Sequence, residues 1–578
     1  MGRPRDLDKG SSIVLRLLLV LIVLLPVVPF LNSRVLRMAG DEKVYINQAV
    51  EMARSNSWFF QTMADEPSYF KGPLHYIFIR IGMVLFGDSL AAGVWMNALA
   101  LVIAALAMFK LAHRRWGPRA GFLLGLATAL NVGAVSHTFA SQMEVELLAL
   151  TALAISALGL APEAFAQSGS KSRVSFRSDL FFWLIAGIIG WVKSPLHSVL
   201  LGTSAIIYWA FTRQLWPRLK NPKAWACVFV GMAVCVAGYL PAYLGDQEAF
   251  MATYLGREQF QKGGNNRAWH YPTLPLIHFL LPWTLIVFAA VGKLLWRATS
   301  GKRRFMSMPN QFAIDRRMML LGAAVSVPTI LFWMFWDYKG QNYNLPILPG
   351  LLLFGFACFA KAHVEPKPPM LVYRIVSFLC LAALFAFIGL IAHFWPLPEW
   401  WNIYWVYATF ATMAVFIFCF AYGKTVKTLT IGTVAFFFAF ALATTPLGNR
   451  EMRDVRNYLK ENPKTKIYYY NLEPSIWSEW GLLQFTLNRP VFGLHRINQI
   501  QEATKPGHTV LVPNAKALAT VLAEWKKIHP SAEREPNIRT WKRWLTKGKS
   551  PSGEPMWKVA WTKRDLSHLE RDFFIVSF

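Results

Sequence analysis

Apolar runs close to the length of a bilayer crossing recur from Ser12 to Thr445, and no other feature limits the possible folds as strongly. A hydrocarbon core of ~30 Å takes about 20 apolar residues per helical crossing, and within it every backbone N–H and C=O must be paired in a helix or a closed barrel. The runs fall near 12–31, 90–112, 119–137, 144–163, 179–192, 196–213, 222–244, 273–296, 317–336, 343–361, 370–394, 401–422 and 427–446. They predict an α-helical polytopic membrane protein with about thirteen transmembrane helices. A disordered or ordinary soluble chain is excluded, because 54% of the residues are hydrophobic and only 16% are charged.

The 60 Lys and Arg residues against 32 Asp and Glu give a net charge of +28. That excess would suit nucleic acid, but most of it sits between apolar runs, where basic residues set topology and meet lipid headgroups. Membrane lipids are the expected partners, and no nucleic acid is. The segment from Pro73 to Gly87 is short and carries Arg80 at its middle. Laid flat as an amphipathic part of the first outer loop (40–89), it leaves HRRWGPR (113–119), KSRVSFR (171–177), RQLWPRLKNPK (213–223) and KLLWRATSGKRR (293–304) all cytoplasmic. Counted as a crossing, it would reverse every later loop. The outward segments are then 40–89, 137–143, the turn at Lys193, 245–272 and 337–343, and the tail after 447 is outward as well. The stretch MGRPRDLDKG before Ser12 to Phe30 has the charge layout of a signal peptide without a clear cleavage site, and reads as a first helix that stays in the membrane. Cys227, Cys235, Cys358, Cys380 and Cys419 lie inside apolar runs without CxxC spacing, so neither a disulfide framework nor a zinc cluster is expected.

Residues 1–447 thus read as a transmembrane domain and 448–578 as a small outward α/β domain. In the latter, KIYYYNL (466–472), PVF (490–492), TVLVP (509–513), WKVAWTK (557–563) and FFIVSF (573–578) have strand-like patterns. WSEWGLLQFTL (477–487) and AKALATVLAEWKK (515–527) have helical ones. The domain carries no GxGxxG, no Walker motif and no Cys/His metal spacing, and the chain shows no repeat of fixed period.

Carboxylates are expensive in a membrane chain and tend to line cavities. Asp41 and Glu42 stand directly beyond the first run, with Tyr45 one turn later on the same face, which suits a carboxylate held by a phenol. Glu144 and Glu146 open the fourth run in FASQMEVELLAL. Acids from both places, meeting above the membrane, would supply a base and a group that orients an acceptor; the bland alternative is solvated helix ends with snorkelling side chains. Outward cations run against the topology bias: Lys71 in SYFKGPLHY, Lys193 in GWVKSPLH, Arg257, Arg267 and His270 in GREQFQKGGNNRAWHYP, and Lys339 with Tyr343 in DYKGQNYNLPILP. A phosphate or pyrophosphate at the membrane surface would account for the set, although each one singly also suits a headgroup contact.

The order Asp-Glu-x-x-Tyr (Asp41, Glu42, Tyr45), then Lys-x-Pro-Leu (Lys71, Gly72, Pro73, Leu74), then an acid opening the fourth run resembles bacterial integral-membrane glycosyltransferases of the GT-C superfold. Among them it is most similar to the aminoarabinose (lipid A) transferases and the protein O-mannosyltransferase-like proteins. Val192-Lys193-Ser194-Pro195 resembles their Thr-Lys-Gly-Pro turn, and Leu281-Pro282-Trp283 ends a similar loop-to-helix transition. Lys339, Tyr343, Leu345 and Pro346 match their Lys-x-x-x-Tyr-x-Leu-Pro motif. The resemblance runs along essentially the whole chain. Phe70-Lys71-Gly72-Pro73 stands where Glu-Lys-Pro-Pro is usual, and Val44 stands where an arginine is common. Glu replaces the commoner Asp at the second acid, which leaves Glu144 and Glu146 both open.

The resemblance implies a multi-pass enzyme of the bacterial inner membrane, with its active site and C-terminal domain extracytoplasmic. A sugar would pass from a polyprenyl-phosphate donor to a lipid, glycan or protein acceptor of the cell envelope. Asp41 and Glu144 would be catalytic, Asp41 as general base for the attacking hydroxyl. Glu42, Tyr45, Lys71, Lys193, Arg257, Arg267, His270, Lys339 and Tyr343 would bind substrate. One direct displacement should invert the anomeric centre. No cofactor is implied, and no residue is assigned to a metal. A transporter or flippase for an anionic lipid-linked substrate is the rival reading, since outward cations around an acid would suit it as well. Paired halves with matching broken helices, which that reading wants, are not visible in the sequence. Trp336-Asp337-Tyr338 hints at oligosaccharide transfer but sits at a run end rather than in a soluble domain.

Overall fold

The computed structural model describes residues 9–25, 27, 41–64, 66–165, 175–260, 267–299, 314–337, 340–360, 433, 437, 453–471, 479–532, 534–544, 556–563 and 570–578. The expected crossings at 370–394, 401–422 and 427–446 lie outside these residues, except for Thr433 and Phe437. Leu90–Trp116 and Arg316–Phe335 are long and apolar enough to cross a membrane, and Pro118–Ala129 with Val132–Thr138, bent by 55°, makes a third such span. Lys9–Leu24, Glu144–Gly159, Phe176–Val192, Pro195–Phe211, Pro222–Ala237 and Thr284–Thr299 fill other expected runs with helices of 16 or 17 residues.

Two expected crossings are interrupted. The run 273–296 divides into Pro275–Phe279 and Thr284–Thr299, and 343–361 begins as a 3-10 turn, Gln341–Ile347, before Leu348–Ala357. Pro282, Pro346 and Pro349 lie at these breaks, where a residue without an N–H cannot extend a helical ladder. The break at 282 also serves the bent span. Trp283 Nε1 donates to the Leu130 carbonyl at 2.7 Å, and the Leu281 carbonyl accepts from Val132 N at 2.9 Å, so the bend is pinned from outside.

Small residues allow the helices to touch. A Cβ at Gly121 would lie 2.8 Å from the Phe109 carbonyl oxygen, and one at Gly125 would lie 2.7 Å from that of Ala105. This GxxxG row seats Pro118–Ala129 directly on Leu90–Trp116.

Charged residues segregate to the two ends of the bundle. At one end Arg115 grips Asp315 through two nitrogens, at 2.6 and 3.0 Å, with Trp116 Nε1 on the same carboxylate at 3.0 Å. Arg218 holds Asp179 at 3.0 Å and also bonds Glu163. Every one of these groups comes from a loop or run end assigned to the cytoplasmic side, and two arginines of the basic loops therefore act as buried ties between loops. Asp179 and Lys193 flank one helix at opposite ends, and Glu163 and Glu144 lie at opposite ends of another stretch, so Lys193 and Glu144 fall at the far pole.

The first loop is folded against that pole. It contains the helices Glu42–Arg54 and Leu74–Phe86 and a small hairpin, Thr62–Met63 with Glu66–Pro67. Leu74–Phe86, with 13 residues, is about 20 Å long and short of a crossing. Arg80 lies over the Trp58 ring at 3.9 Å and donates to the Ser57 carbonyl, both within the same loop. Val84, Leu85 and Phe86 are exposed at its far end. Glu42 Oε1 accepts from Ser141 N at 2.8 Å, so residues 41 and 144 share one end of the molecule.

The tail holds a five-stranded sheet in the order Val491–Leu494, Lys466–Tyr470, His508–Val512, Glu570–Ser577, Asn537–Trp544. The first three strands are parallel, and Glu570–Ser577 runs antiparallel to both neighbours. Alternation divides its faces. Tyr468, Tyr470, Val510, Val512 and Val576 meet the helix Ala515–Ile528, whereas Ile467, Tyr469, Leu511, Phe573 and Ile575 join the same buried core as the membrane helices. Arg54 fastens the tail to the first loop by bonds to Gln484 Oε1 (2.9 Å) and the Val491 carbonyl (2.7 Å), and Asn47 Oδ1 accepts from Gly481 N at 2.9 Å.

Two expectations for the tail need correction. WKVAWTK belongs to a helix, Met556–Lys563, because its buried positions, Met556 and Ala560, are four apart rather than two. The strand Asn537–Trp544 was not anticipated, since its Arg539, Lys542 and Arg543 mask the pattern. It is an edge strand, where lysines and arginines discourage pairing with another chain.

Candidate active site

Asp41 caps the helix Glu42–Arg54, and Tyr45 Oη donates to Asp41 Oδ2 at 3.3 Å. Tyr45 is buried, and its phenol is pushed far above its ordinary range, first by burial and then by the negative charges of Asp41 and Glu144. It therefore stays protonated and remains a donor to Asp41.

Two lysines belong to the same pole. Lys193 follows the last turn of Phe176–Val192, where a cation complements the helix dipole, and Pro195 opens the next helix. Lys193 Nζ reaches Glu144 Oε1 at 2.8 Å with both side chains buried, and it also stands 4.7 Å from the centre of the Tyr343 ring. Lys71 is buried as well, with its amine 4.1 Å from the Phe70 ring centre. Gln61 holds the Lys71 segment in place, donating to the Lys71 carbonyl at 3.0 Å and accepting from Phe70 N at 3.2 Å.

Gly72 brings the two lysines together. Its N–H donates to the Lys193 carbonyl at 3.3 Å, and a Cβ there would stand 2.1 Å from the Trp191 carbonyl oxygen. The departure from Lys-Pro-Pro at this position thus accompanies direct backbone contact with the Lys193 turn. Gly72→Ala should destabilise the protein by about 1–3 kcal/mol, as overpacking does, and should separate Lys71 from Lys193. Thermal unfolding of the purified variant checks this, and an unchanged midpoint would show that the turn yields freely.

Glu146 has a different partner. His75 Nδ1 lies 2.8 Å from Glu146 Oε1, its Nε2 is 3.4 Å from Ser141 Oγ, and its ring meets Tyr45 edge-on at 5.3 Å. The sequence left Glu144 and Glu146 open as the second acid; in the fold Glu144 belongs to the lysine set and Glu146 to a histidine set beside it. His75 was missed as a candidate, although an ionisable residue inside an apolar segment is a signal of the kind that singled out the glutamates.

The fold therefore assembles Asp41, Glu42, Tyr45, Lys71, Glu144, Lys193 and Tyr343 at one pole. Arg267 and His270 are exposed, the first stacked on Tyr271 at 4.3 Å and the second edge-on to Trp269 at 5.5 Å. Arg257 lies in the helical segment Phe250–Phe260, and Lys339 lies outside the described residues. Among the described residues, no group of three or more His, Cys, Asp or Glu side chains is arranged to hold a metal ion.

This helical bundle with its small C-terminal sheet shares the GT-C fold of crystal structures of ArnT from Cupriavidus metallidurans. The form bound to undecaprenyl phosphate matches with a TM-score of 0.65 at 16% identity, over 92% of this chain and 96% of that one. The apo form matches with 0.66 at 15% identity, over 98% and 97%. Residues 66–239 match the family described as dolichyl-phosphate-mannose-protein mannosyltransferase. In sequence the chain is 24% identical over 335 residues to undecaprenyl phosphate-alpha-4-amino-4-deoxy-L-arabinose arabinosyl transferase 2 of Pseudomonas fluorescens (strain Pf0-1). The match spans 56% of each chain, so this chain covers about half the length of that curated relative.

Proposed function

We propose that the protein is a glycosyltransferase that moves a sugar from a polyprenyl-phosphate donor to a lipid, glycan or protein acceptor. It would work at the extracytoplasmic face of a bacterial inner membrane. The carrying observation is the pole itself: two buried lysines, Lys71 and Lys193, joined through the Gly72 backbone, with Lys193 paired to Glu144 and Asp41 held by the Tyr45 hydroxyl. Buried cations favour an anion beside them, as Glu144 beside Lys193 shows. A donor phosphate is of the right charge to fill that place, and the Cupriavidus relative of the same fold was crystallised with undecaprenyl phosphate.

The acceptor oxygen attacks the anomeric carbon as the carbon–oxygen bond to phosphate breaks. The polyprenyl phosphate leaves with the bonding electrons, and the hydroxyl proton passes to the Asp41 carboxylate. Each charge-assisted bond from Lys71 or Lys193 to the departing phosphate contributes about 1.5–3 kcal/mol. Attack from the face opposite the phosphate inverts the anomeric centre. Membranes containing the protein, incubated with radiolabelled polyprenyl-phosphate sugars, should move label to lipid, glycan or protein; label that stays on the donor, or crosses the membrane with it intact, supports transport instead.

About thirteen crossings, with the basic loops inside, complete the proposal. On a background lacking the five native cysteines, Glu66→Cys in the first loop and Lys527→Cys in the tail should react with an impermeant maleimide in intact cells. Arg114→Cys, at the Arg115 pole, should not. Labelling of position 114 from outside would invert the protein.

A further inference from the structure

A cleft of about 630 Å³ opens where the last turn of Glu42–Arg54 meets the strands Lys466–Tyr470 and Val491–Leu494. Glu51 lines it, ten residues beyond Asp41 on one rigid helix, so the cleft begins about 15 Å from the reacting pole along the helix axis. It is a separate recess held at fixed distance from the chemistry.

Its charges nearly balance. Glu51 and Glu502 line it with Arg54, Lys466 and His495, Lys466 Nζ lies 3.9 Å from Glu502, and Lys505 bonds the same carboxylate from outside the lining. A site for a phosphate would carry a surplus of cations. The walls are aromatic instead, formed by Tyr468, Trp480 and Phe492, with Arg54 and Lys466 4.6 and 4.9 Å from the Phe492 ring centre.

Two of those aromatics hold orphaned polar groups. Tyr468 and Trp480 are 3% and 1% exposed, and neither the Tyr468 hydroxyl nor the Trp480 indole nitrogen has a hydrogen-bond partner among the described residues. Leaving a buried polar group unpaired costs about 1–3 kcal/mol, so a small side-chain shift that brought either one, now shut off from solvent, to a ligand in the cleft would be repaid. Gly493 abuts the indole closely: a Cβ there would stand 2.6 Å from the Trp480 ring. Aromatic faces, balanced acids and bases, and unpaired donors match a ligand whose hydroxyls both donate and accept and whose C–H faces are apolar.

We propose that this cleft binds a neutral saccharide portion of the acceptor, which extends from here along the Glu42–Arg54 helix to present its reacting hydroxyl at Asp41. The proposal rests on the glycosyl-transfer reading for the identity of the ligand as acceptor, but the binding itself can be tested without transfer. Saturation-transfer NMR on the full-length protein in detergent, with chitobiose as probe, should give a wild-type signal that equimolar inorganic phosphate does not displace. Tyr468→Phe and the exposed Glu502→Gln should each weaken chitobiose binding about tenfold. No wild-type signal, a signal displaced by phosphate, or full binding by both variants overturns the proposal. In the transfer assay, both variants should raise the acceptor KM about tenfold and leave the donor KM as it is; a change in donor KM alone would place the cleft on the donor side instead. If wild type uses no polyprenyl-phosphate sugar, the functional reading fails, and the NMR result still decides whether the cleft holds a saccharide.

Discussion

Asp41→Asn is expected to lower sugar transfer by about 10²–10⁴-fold, the range set by removal of a general base. The substitution is nearly isosteric. The new amide would keep an oxygen for the Tyr45 hydroxyl, now 3.3 Å from Asp41 Oδ2, and the residue's place as helix cap needs no side-chain bond. The lost property is the capacity to take the acceptor proton as the glycosidic bond forms. Donor binding should survive, because the groups that would meet the phosphate are Lys71 and Lys193, and Lys193 is paired with Glu144 rather than with Asp41. The informative measurement is therefore the pair of kcat and donor KM, together with the unfolding midpoint. A large fall in kcat with the other two unchanged assigns the base to Asp41. Wild-type turnover would reduce Asp41 to an orienting group, as expected if the acceptor is itself a phosphate and brings no proton.

The parts of this pole that were legible in the sequence are those whose cost is local. Asp41, Glu144, Lys71 and Lys193 stood out because charge beside or inside an apolar run has to be explained by a partner, and the Lys/Arg distribution alone placed 41 and 144 at one end. Partnership was not legible. That Glu144 takes Lys193 while Glu146, two residues on, takes His75 depends on helix rotation and on the first loop folding back, which no spacing rule encodes. The same limit explains Gly72: the sequence showed only a missing proline, whereas the fold shows a backbone that must touch Trp191. In the tail the central strands were readable from their apolar alternation. The edge strand Asn537–Trp544 was not, because the charges that protect an edge erase the signal used to find strands. The docking of the tail on the first loop rests on Arg54, Asn47 and Gln484, polar residues that look unexceptional in sequence.

Lys193→Met should destabilise the protein by about 3–5 kcal/mol, because it leaves the Glu144 carboxylate buried without its cation. Glu144 is 7% exposed and Lys193 6%, so water cannot easily replace the lost 2.8 Å contact. An unstable variant is also an inactive one, and the single substitution cannot separate scaffold from chemistry. The double variant Lys193→Met, Glu144→Gln can. It removes both charges at nearly constant volume, and exchanging a whole buried ion pair for neutral groups costs far less than breaking one. Its unfolding midpoint in detergent should return most of the way to wild type. Transfer should not return, if Lys193 holds the donor phosphate, and the deficit should show in donor KM as well as kcat, since the missing cation meets the phosphate both before and during departure. Recovery of stability and activity together would make the pair a structural tie like Arg115 with Asp315 at the opposite pole, and would leave Lys71 as the cation to carry the phosphate reading.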